Sequence, residues 1–223
     1  MFDLINMTKK YKNKIIFEDE TVSVGNHKII FFMGPNGCGK TTLIKCLSGL
    51  EKYKGKIKYD NYSIDDIRKE TFVIWDDCPF YDDLSGINNL YVLSESTSIK
   101  ADDIKRISNK YFSEDTLKRK VKKYSYGQRK MLALVLGEIL NPSLLIMDEI
   151  SNGLDYDTMK LLRKEIKEKS VDKDIILTGH QFAFYEGLVD EVFIIHNKHI
   201  IDVTDEYISC DDLGLVYERY FDE

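Results

Sequence analysis

The sequence predicts an α/β protein: a sheet of parallel strands crossed by helices and interrupted by a helical block. Three observations carry that reading. The runs "HKIIFFMG", "SLLIMDE" and "DIILTGH" are apolar and β-branched enough for buried strands, and each is followed by a helical pattern. Between about Leu84 and Leu140 long helical spacings replace them. Alternating strands and helices form such a sheet because each covers the other's apolar face.

The elements follow in order. "FDLINM" and "KIIF" read as short strands separated by a polar turn, "TKKYKNK". "HKIIFFMG" is a buried strand that runs into a glycine-rich turn. "KTTLIKCLSGL" then has helical spacing, with Leu43, Cys46, Leu47 and Leu50 on one face. "GKIKYD" and "TFVIW" are further short strands. After the helical block come the two buried strands, and "EVFIIHNKHIID" reads as a hairpin turning at Asn197-Lys198. The last segment places Leu213, Val216, Tyr217, Tyr220 and Phe221 on one helix face, either docked on the protein's own core or turned toward a partner.

A chain of 223 residues, 43% of them apolar, can bury a substantial core. The net charge of −6 argues against a general nucleic-acid binder. No stretch approaches the ~18 consecutive apolar residues of a membrane span. The N-terminus has its charges after its apolar residues, unlike a signal peptide. Cys38, Cys46, Cys78 and Cys210 form no CxxC pair, which suits thiols in a reducing compartment.

"GPNGCGKTT", Gly34 to Thr42, fits G-x-x-x-x-G-K-[ST] and lies between a strand and a helix. Glycines let backbone N–H groups converge on an anion, and the helix adds its N-terminal partial charge. Asn36, Gly37, Cys38, Gly39, Lys40, Thr41 and Thr42 are therefore candidate nucleotide-binding residues. Lys40 can reach the β- and γ-phosphates, and the Thr41 hydroxyl can coordinate Mg²⁺. Cys38 is either an accessible thiol or an inert one. Asp148 and Glu149 close the strand "SLLIMDE". Asp148 is a candidate Mg²⁺ ligand, and Glu149 is a candidate general base for an attacking water.

From here the chain resembles the ATP-binding cassette (ABC) ATPase family, collinearly and over nearly its whole length. "YSYGQ", Tyr124 to Gln128, resembles the signature motif LSGGQ, and "SNGLD", Ser151 to Asp155, resembles the D-loop. "TGH" ends in His180 at the place of the switch histidine. Tyr11, 23 residues before Gly34, resembles the aromatic that stacks on adenine. Ser125 can cap a helix whose N-terminus, with Gly127, forms a second anion site.

The resemblance implies an α/β RecA-like P-loop NTPase core, an N-terminal antiparallel β-subdomain and an inserted helical subdomain at about 80–140, all within one domain over 1–223. It implies ATP and Mg²⁺ as cofactors, Glu149 and His180 as catalytic residues, and Asp155 as the D-loop contact. Ser125, Gly127 and Gln128 would contact ATP held by a second ATPase subunit, an identical copy or a sister. The work would be done on a separate transmembrane permease, with no nucleic-acid partner, at the cytoplasmic face of the cell membrane. Tyr124 and Tyr126 depart from the usual signature, and Ile150 stands where a proline is common. The "YSxG" form resembles exporter ATPases of drug, antibiotic-peptide and ABC-2 type. A non-transport ATPase of DNA repair or translation, or the ATPase of an importer, are the alternatives.

"VIWDDCPFYDD", Val73 to Asp83, carries four acids. "LSGINNL", Leu84 to Leu90, resembles the family segment that follows the Q-loop glutamine. Eight residues before Leu84, Asp76 takes the glutamine's place, and a one-residue slip would assign Asp77 instead. Some lantibiotic-type exporters carry a Glu there. Asp76 is thus a candidate metal ligand with a shorter reach than Gln, expected to approach the metal only on loop closure and to repel Glu149 if the two came close. Asp77, Asp82 and Asp83 read as a solvated face or part of a groove for the permease.

Overall fold

The computed structural model describes residues 2–25, 29–60 and 62–221. Strands β1 (Phe2–Tyr11) and β2 (Lys14–Val24) form an antiparallel hairpin whose turn is only Lys12 and Asn13. The expected polar turn over 8–14 is therefore too long, since Thr8 to Tyr11 belong to the strand. Asn6 and Asp19 adopt left-handed backbone, and the register slips three times between Leu4 and Lys10. These irregularities break the simple alternation. They turn Lys9 inward, where its Nζ lies 2.8 Å from both Glu51 Oε2 and the Lys52 carbonyl.

Strand β3 (Ile29–Met33) matches the first predicted buried strand, while His27 and Lys28 lie outside the described residues. Helix α1 (Lys40–Leu47) buries Leu43, Cys46 and Leu47. It ends at Ser48, whose hydroxyl bonds back to the Ile44 carbonyl at 2.8 Å, and Gly49 turns the chain with φ 68°. Leu50 falls beyond that stop and is exposed, so it leaves the predicted apolar face.

Strands β4 (Lys54–Tyr59) and β5 (Tyr62–Ser63) complete an antiparallel sheet in the order β2-β1-β4-β5. A short helix, α2 (Ile64–Ile67), leads to β6 (Thr71–Ile74). The predicted helical block is α3 (Gly86–Leu93), α4 (Ala101–Ser108), α5 (Glu114–Lys118) and α6 (Tyr126–Leu140). Helix α6 is buried on nearly every side from Lys130 to Gly137, as an almost wholly apolar helix must be.

Next come β7 (Leu144–Met147), α7 (Tyr156–Lys169), β8 (Asp174–Thr178) and α8 (Phe182–Tyr185). They are followed by β9 (Glu191–His196), β10 (His199–Asp202), α9 (Thr204–Cys210) and α10 (Leu213–Phe221). The β9–β10 hairpin turns at Asn197 and Lys198 with φ 47° and 72°, as two-residue hairpins require. On α10, Leu213 and Val216 are fully buried, and Tyr217 packs against Phe182. The C-terminal stripe is therefore docked on the protein's own core.

The second sheet runs β10-β9-β3-β8-β7-β6, parallel except for β10 at one edge. Side-chain alternation divides the core in two. Ile29, Phe31 and Met33 join the cluster that contains α6, whereas Ile30 and Phe32 face α1 and the antiparallel sheet. Because β3, β8, β7 and β6 are parallel neighbours, their carboxyl ends share one edge of the sheet. Ligands of open α/β sheets bind at that edge.

Candidate active site

The four strand ends deliver the chemistry. The glycine-rich loop follows β3, Asp148 and Glu149 follow β7, His180 follows β8, and Asp76 follows β6. Apart from Asp148, they line a cavity of about 350 Å³. Among the predicted residues its wall contains Asn36, Gly37, Gly39, Lys40, Thr41, Thr42, Asp76, Glu149 and His180; Ile16 and Asn152 complete it.

The loop is held open by glycine. Gly39 has φ 124°, and a Cβ there would lie 2.8 Å from Ile16 and 2.9 Å from the Phe17 ring. Only glycine turns the chain into α1 against that wall. Lys40 is almost wholly buried, and its Nζ donates to the Gly34 carbonyl at 2.7 Å and lies 3.4 Å from Glu149 Oε1. The ammonium thus spans the loop and points at the acidic strand end.

Asp148 is buried and held from two sides. Thr41 Oγ1 donates to Asp148 Oδ2 at 2.9 Å, and Thr178 Oγ1 donates to Oδ1 at 2.6 Å. Glu149 follows with φ 51°, a left-handed conformation uncommon for glutamate. Its N–H donates to the Thr178 carbonyl at 3.1 Å. The turn sends Glu149 Oε2 to within 2.8 Å of His180 Nδ1. His180 is half-exposed and reaches over the cavity.

Asp76 lines the cavity of the glycine-rich loop, and both Asp76 and Asp77 line the neighbouring cavity beside Thr41 and Asp148. Asp76 Oδ1 accepts from the Tyr126 hydroxyl at 2.5 Å, from Lys130 Nζ at 3.1 Å and from Asn152 Nδ2 at 3.5 Å. The expected repulsion between Asp76 and Glu149 is relieved by Lys130, which also donates to the Glu149 carbonyl at 2.6 Å. Asp82 pairs with Arg129 at 2.6 Å and Asp83 with Lys122 at 2.7 Å, so these two are bridged on the surface and not simply solvated.

Other predicted residues stand apart from the cavity wall. Tyr11 is 39% exposed, and its ring centroid lies 4.3 Å from Lys9 Nζ. Ile16, on the paired strand, lines the cavity. Cys38 tucks its thiol behind Gly34, and burial raises the thiol above its usual range, which suits the inert alternative. Ser125 caps α6: its Oγ accepts from Gln128 N–H at 3.2 Å, and Gln128 Oε1 accepts from Ser125 N–H at 3.1 Å. Gln128 is therefore committed to its own helix in a capping box. Gly127 is buried against Thr158 and Leu154. Asp155 caps α7 by accepting from Thr158 N–H at 2.8 Å, and that bond holds its carboxyl below the ordinary range.

Sequence reasoning missed Ile16, Asn152 and Lys130. Ile16 is apolar and left no chemical signal, and Asn152 stood inside the segment "SNGLD" without a role of its own. Lys130 had one signal, a lysine at the head of the otherwise apolar run "KMLALVLGEIL".

Comparison with known proteins matches this arrangement. Residues 17–152 fit the family model described as ABC transporter. The lantibiotic transport ATP-binding protein SrtF of Streptococcus pyogenes is 31% identical, over 98% of this chain and 96% of that protein. The chain belongs to the ABC transporter family. As an ABC ATPase subunit it binds ATP and hydrolyses it. Two solved ABC structures share the fold. One, titled as the ATP-binding subunit of an ABC transporter, has a TM-score of 0.86 at 22% identity, over 99% of both chains. The other, the cassette MJ0796 as a dimer bound to ADP and Pi, has a TM-score of 0.75 at 19% identity and covers 90% of this ABC chain and 96% of its own. Among the described residues no helix is long and apolar enough to cross a membrane.

Proposed function

We propose that this chain powers a separate membrane permease that exports an antimicrobial peptide of lantibiotic type, and that Glu149 is its general base. One domain over 1–223 would do this, with α3 to α6 as the helical subdomain. One observation carries the catalytic assignment. The Glu149 carboxylate is bonded to His180 and lies beside Lys40 at the mouth of a glycine-rich loop. The exporter reading is supported by the relationship to the lantibiotic transport protein and by the acid at position 76.

The chemistry assigns each residue an act. Loop N–H groups and Lys40 bind the β- and γ-phosphates. Glu149 takes a proton from a water whose oxygen attacks the γ-phosphorus. The bond to the bridging oxygen breaks, and ADP leaves with inorganic phosphate. His180 fixes the carboxylate through Nδ1 and leaves its other ring nitrogen for the γ-phosphate. Ser125 and the N-terminus of α6 would meet ATP held by a second ATPase subunit.

The donor set fits Mg²⁺. The Thr41 hydroxyl and the Asp148 carboxylate present hard oxygen atoms side by side. Asn152 Oδ1 is buried beside the cavity without a protein donor, so the wall retains an acceptor for a water. Thr41 and Asp148 would hold the ion, with Asp76 through its second oxygen. When bound, Mg²⁺ neutralises charge on the β- and γ-oxygens.

Two experiments test this reading. The tagged chain should co-purify with a polytopic membrane protein from detergent-solubilised cells; recovery without one would remove the transport assignment. Asp76→Gln should lower turnover about 10-fold, because neutral Gln loses the charged partner of Lys130 and reaches the metal differently. Steady-state phosphate release over a Mg²⁺ titration reads this, and unchanged turnover with unchanged Mg²⁺ dependence would make Asp76 a passive loop residue.

A further inference from the structure

Lys130 plays no part in the chemistry above, yet among the described residues it is the only charged side chain with no exposed surface. A buried ammonium is costly unless its protons are met. Here they are. Nζ donates to the Glu149 carbonyl at 2.6 Å and to Asp76 Oδ1 at 3.1 Å, and it lies 4.7 Å from the centroid of the Tyr126 ring. Tyr126 itself bonds Asp76 and rests against Gly153, where a Cβ would come within 2.9 Å of its ring. Burial lowers the lysine's affinity for its proton, and the Asp76 carboxylate opposes that.

The contact falls at the strained point of the site. Glu149 is left-handed, at φ 51°, and a non-glycine residue stays there only if its surroundings hold it. Its N–H is held by Thr178, and its carbonyl accepts from Lys130 and, at 3.1 Å, from Asn152 N–H. The peptide groups of Glu149 are thus gripped from both sides, and the carboxylate direction follows from them. The same ammonium reaches Asp76 at the end of the neighbouring strand.

We infer that Lys130 is a positioning residue for ATP hydrolysis: its ammonium locks the backbone of Glu149 and ties that residue to Asp76, so that loop and general base hold one geometry. The inference rests on the reading of Glu149 as the base. Among the described residues the hydrogen bonds to the Asp76 carboxylate end on Oδ1, so Oδ2 can turn to the nucleotide while the tie persists. Lys130 and Tyr126 are contributed by α6, the helix capped by Ser125, so the tie also connects the two anion-binding elements of one chain.

The test is Lys130→Met in the full chain, with Asp76→Asn and the double variant beside it. Lys130→Met should lower the melting temperature, because the Asp76 carboxylate and the Glu149 carbonyl lose their partner, and the double variant, which also removes the Asp76 charge, should recover part of that loss. Apparent ATP affinity should stay within about 3-fold while kcat falls about 10- to 100-fold, the scale of a small misplacement of a catalytic group. The double variant should lose no more than about 3-fold beyond the worse single variant, because both break one tie. Wild-type kcat in Lys130→Met would overturn the inference. So would kcat and affinity falling together, which marks ordinary packing, or single losses that multiply in the double variant. Glu149→Gln in the same assay separates the two readings. If Glu149→Gln still turns over, the general-base assignment fails; if it is inactive while Lys130→Met is normal, only the present inference fails.

Discussion

Lys40→Met is expected to weaken ATP binding by about 100-fold or more, and turnover falls with it. The ammonium supplies charge-assisted contacts to two phosphates, each worth about 1.5–3 kcal/mol. It is held for that task in an almost wholly buried position, anchored on the Gly34 carbonyl and facing Glu149. Methionine keeps the volume but provides no donor, so the Gly34 carbonyl also loses its partner. Equilibrium binding of a fluorescent ATP analogue checks this. Unchanged affinity would mean that the loop does not bind phosphate in the way described.

Glu149→Gln is expected to divide binding from chemistry. Glutamine fits the same space, but it cannot accept the water's proton, and general-base loss of this kind costs about 10²- to 10⁴-fold in turnover. ATP should bind at least as well as in the wild type. The carboxylate lies 3.4 Å from Lys40 Nζ, close to where the γ-phosphate must sit, and two like charges there repel. Removing one favours the bound state and, with hydrolysis blocked, an ATP-loaded pair of subunits. A variant that hydrolyses ATP at a near-normal rate would require another base.

The legible parts of the site were those whose chemistry is local in the chain. A glycine-rich loop before Lys40-Thr41 must cradle an anion, and a buried strand ending in Asp148-Glu149 must present its acids at the sheet edge. The parallel strands were readable for the same reason, because β-branched runs bounded by turn residues allow few alternatives. The less legible parts depend on contacts between distant segments. Lys9 looked like part of a polar turn because the bulges that turn it inward leave no mark on composition. Leu50 fits the helical spacing of α1, but the helix stops at Leu47 with Ser48 as its cap, and Gly49 turns the chain away. Tyr11 stays exposed outside the cavity wall and Ile16 lines it, and neither side chain's facing could be read through the strand irregularities.

Asp76 shows the limit most clearly. Its position was countable from the segment after it, and the structure places Asp76 in the cavity wall. Its partners were not countable. Tyr126, Lys130 and Asn152 come from 50, 54 and 76 residues away, and only the packing of α6 and the D-loop against β6 brings them together. The departure of Tyr126 from the usual signature glycine then has a local use, since its hydroxyl holds Asp76.

One cavity both binds ATP and hydrolyses it, with Lys40 expected to govern the first act and Glu149 the second. The most direct test counts bound ATP and released phosphate in one assay, with Mg²⁺, for the wild-type chain, Lys40→Met and Glu149→Gln. The wild type should give both bound ATP and released phosphate, Glu149→Gln bound ATP alone, and Lys40→Met neither. Phosphate released by Glu149→Gln at the wild-type rate, or ATP bound equally by all three chains, would contradict these roles.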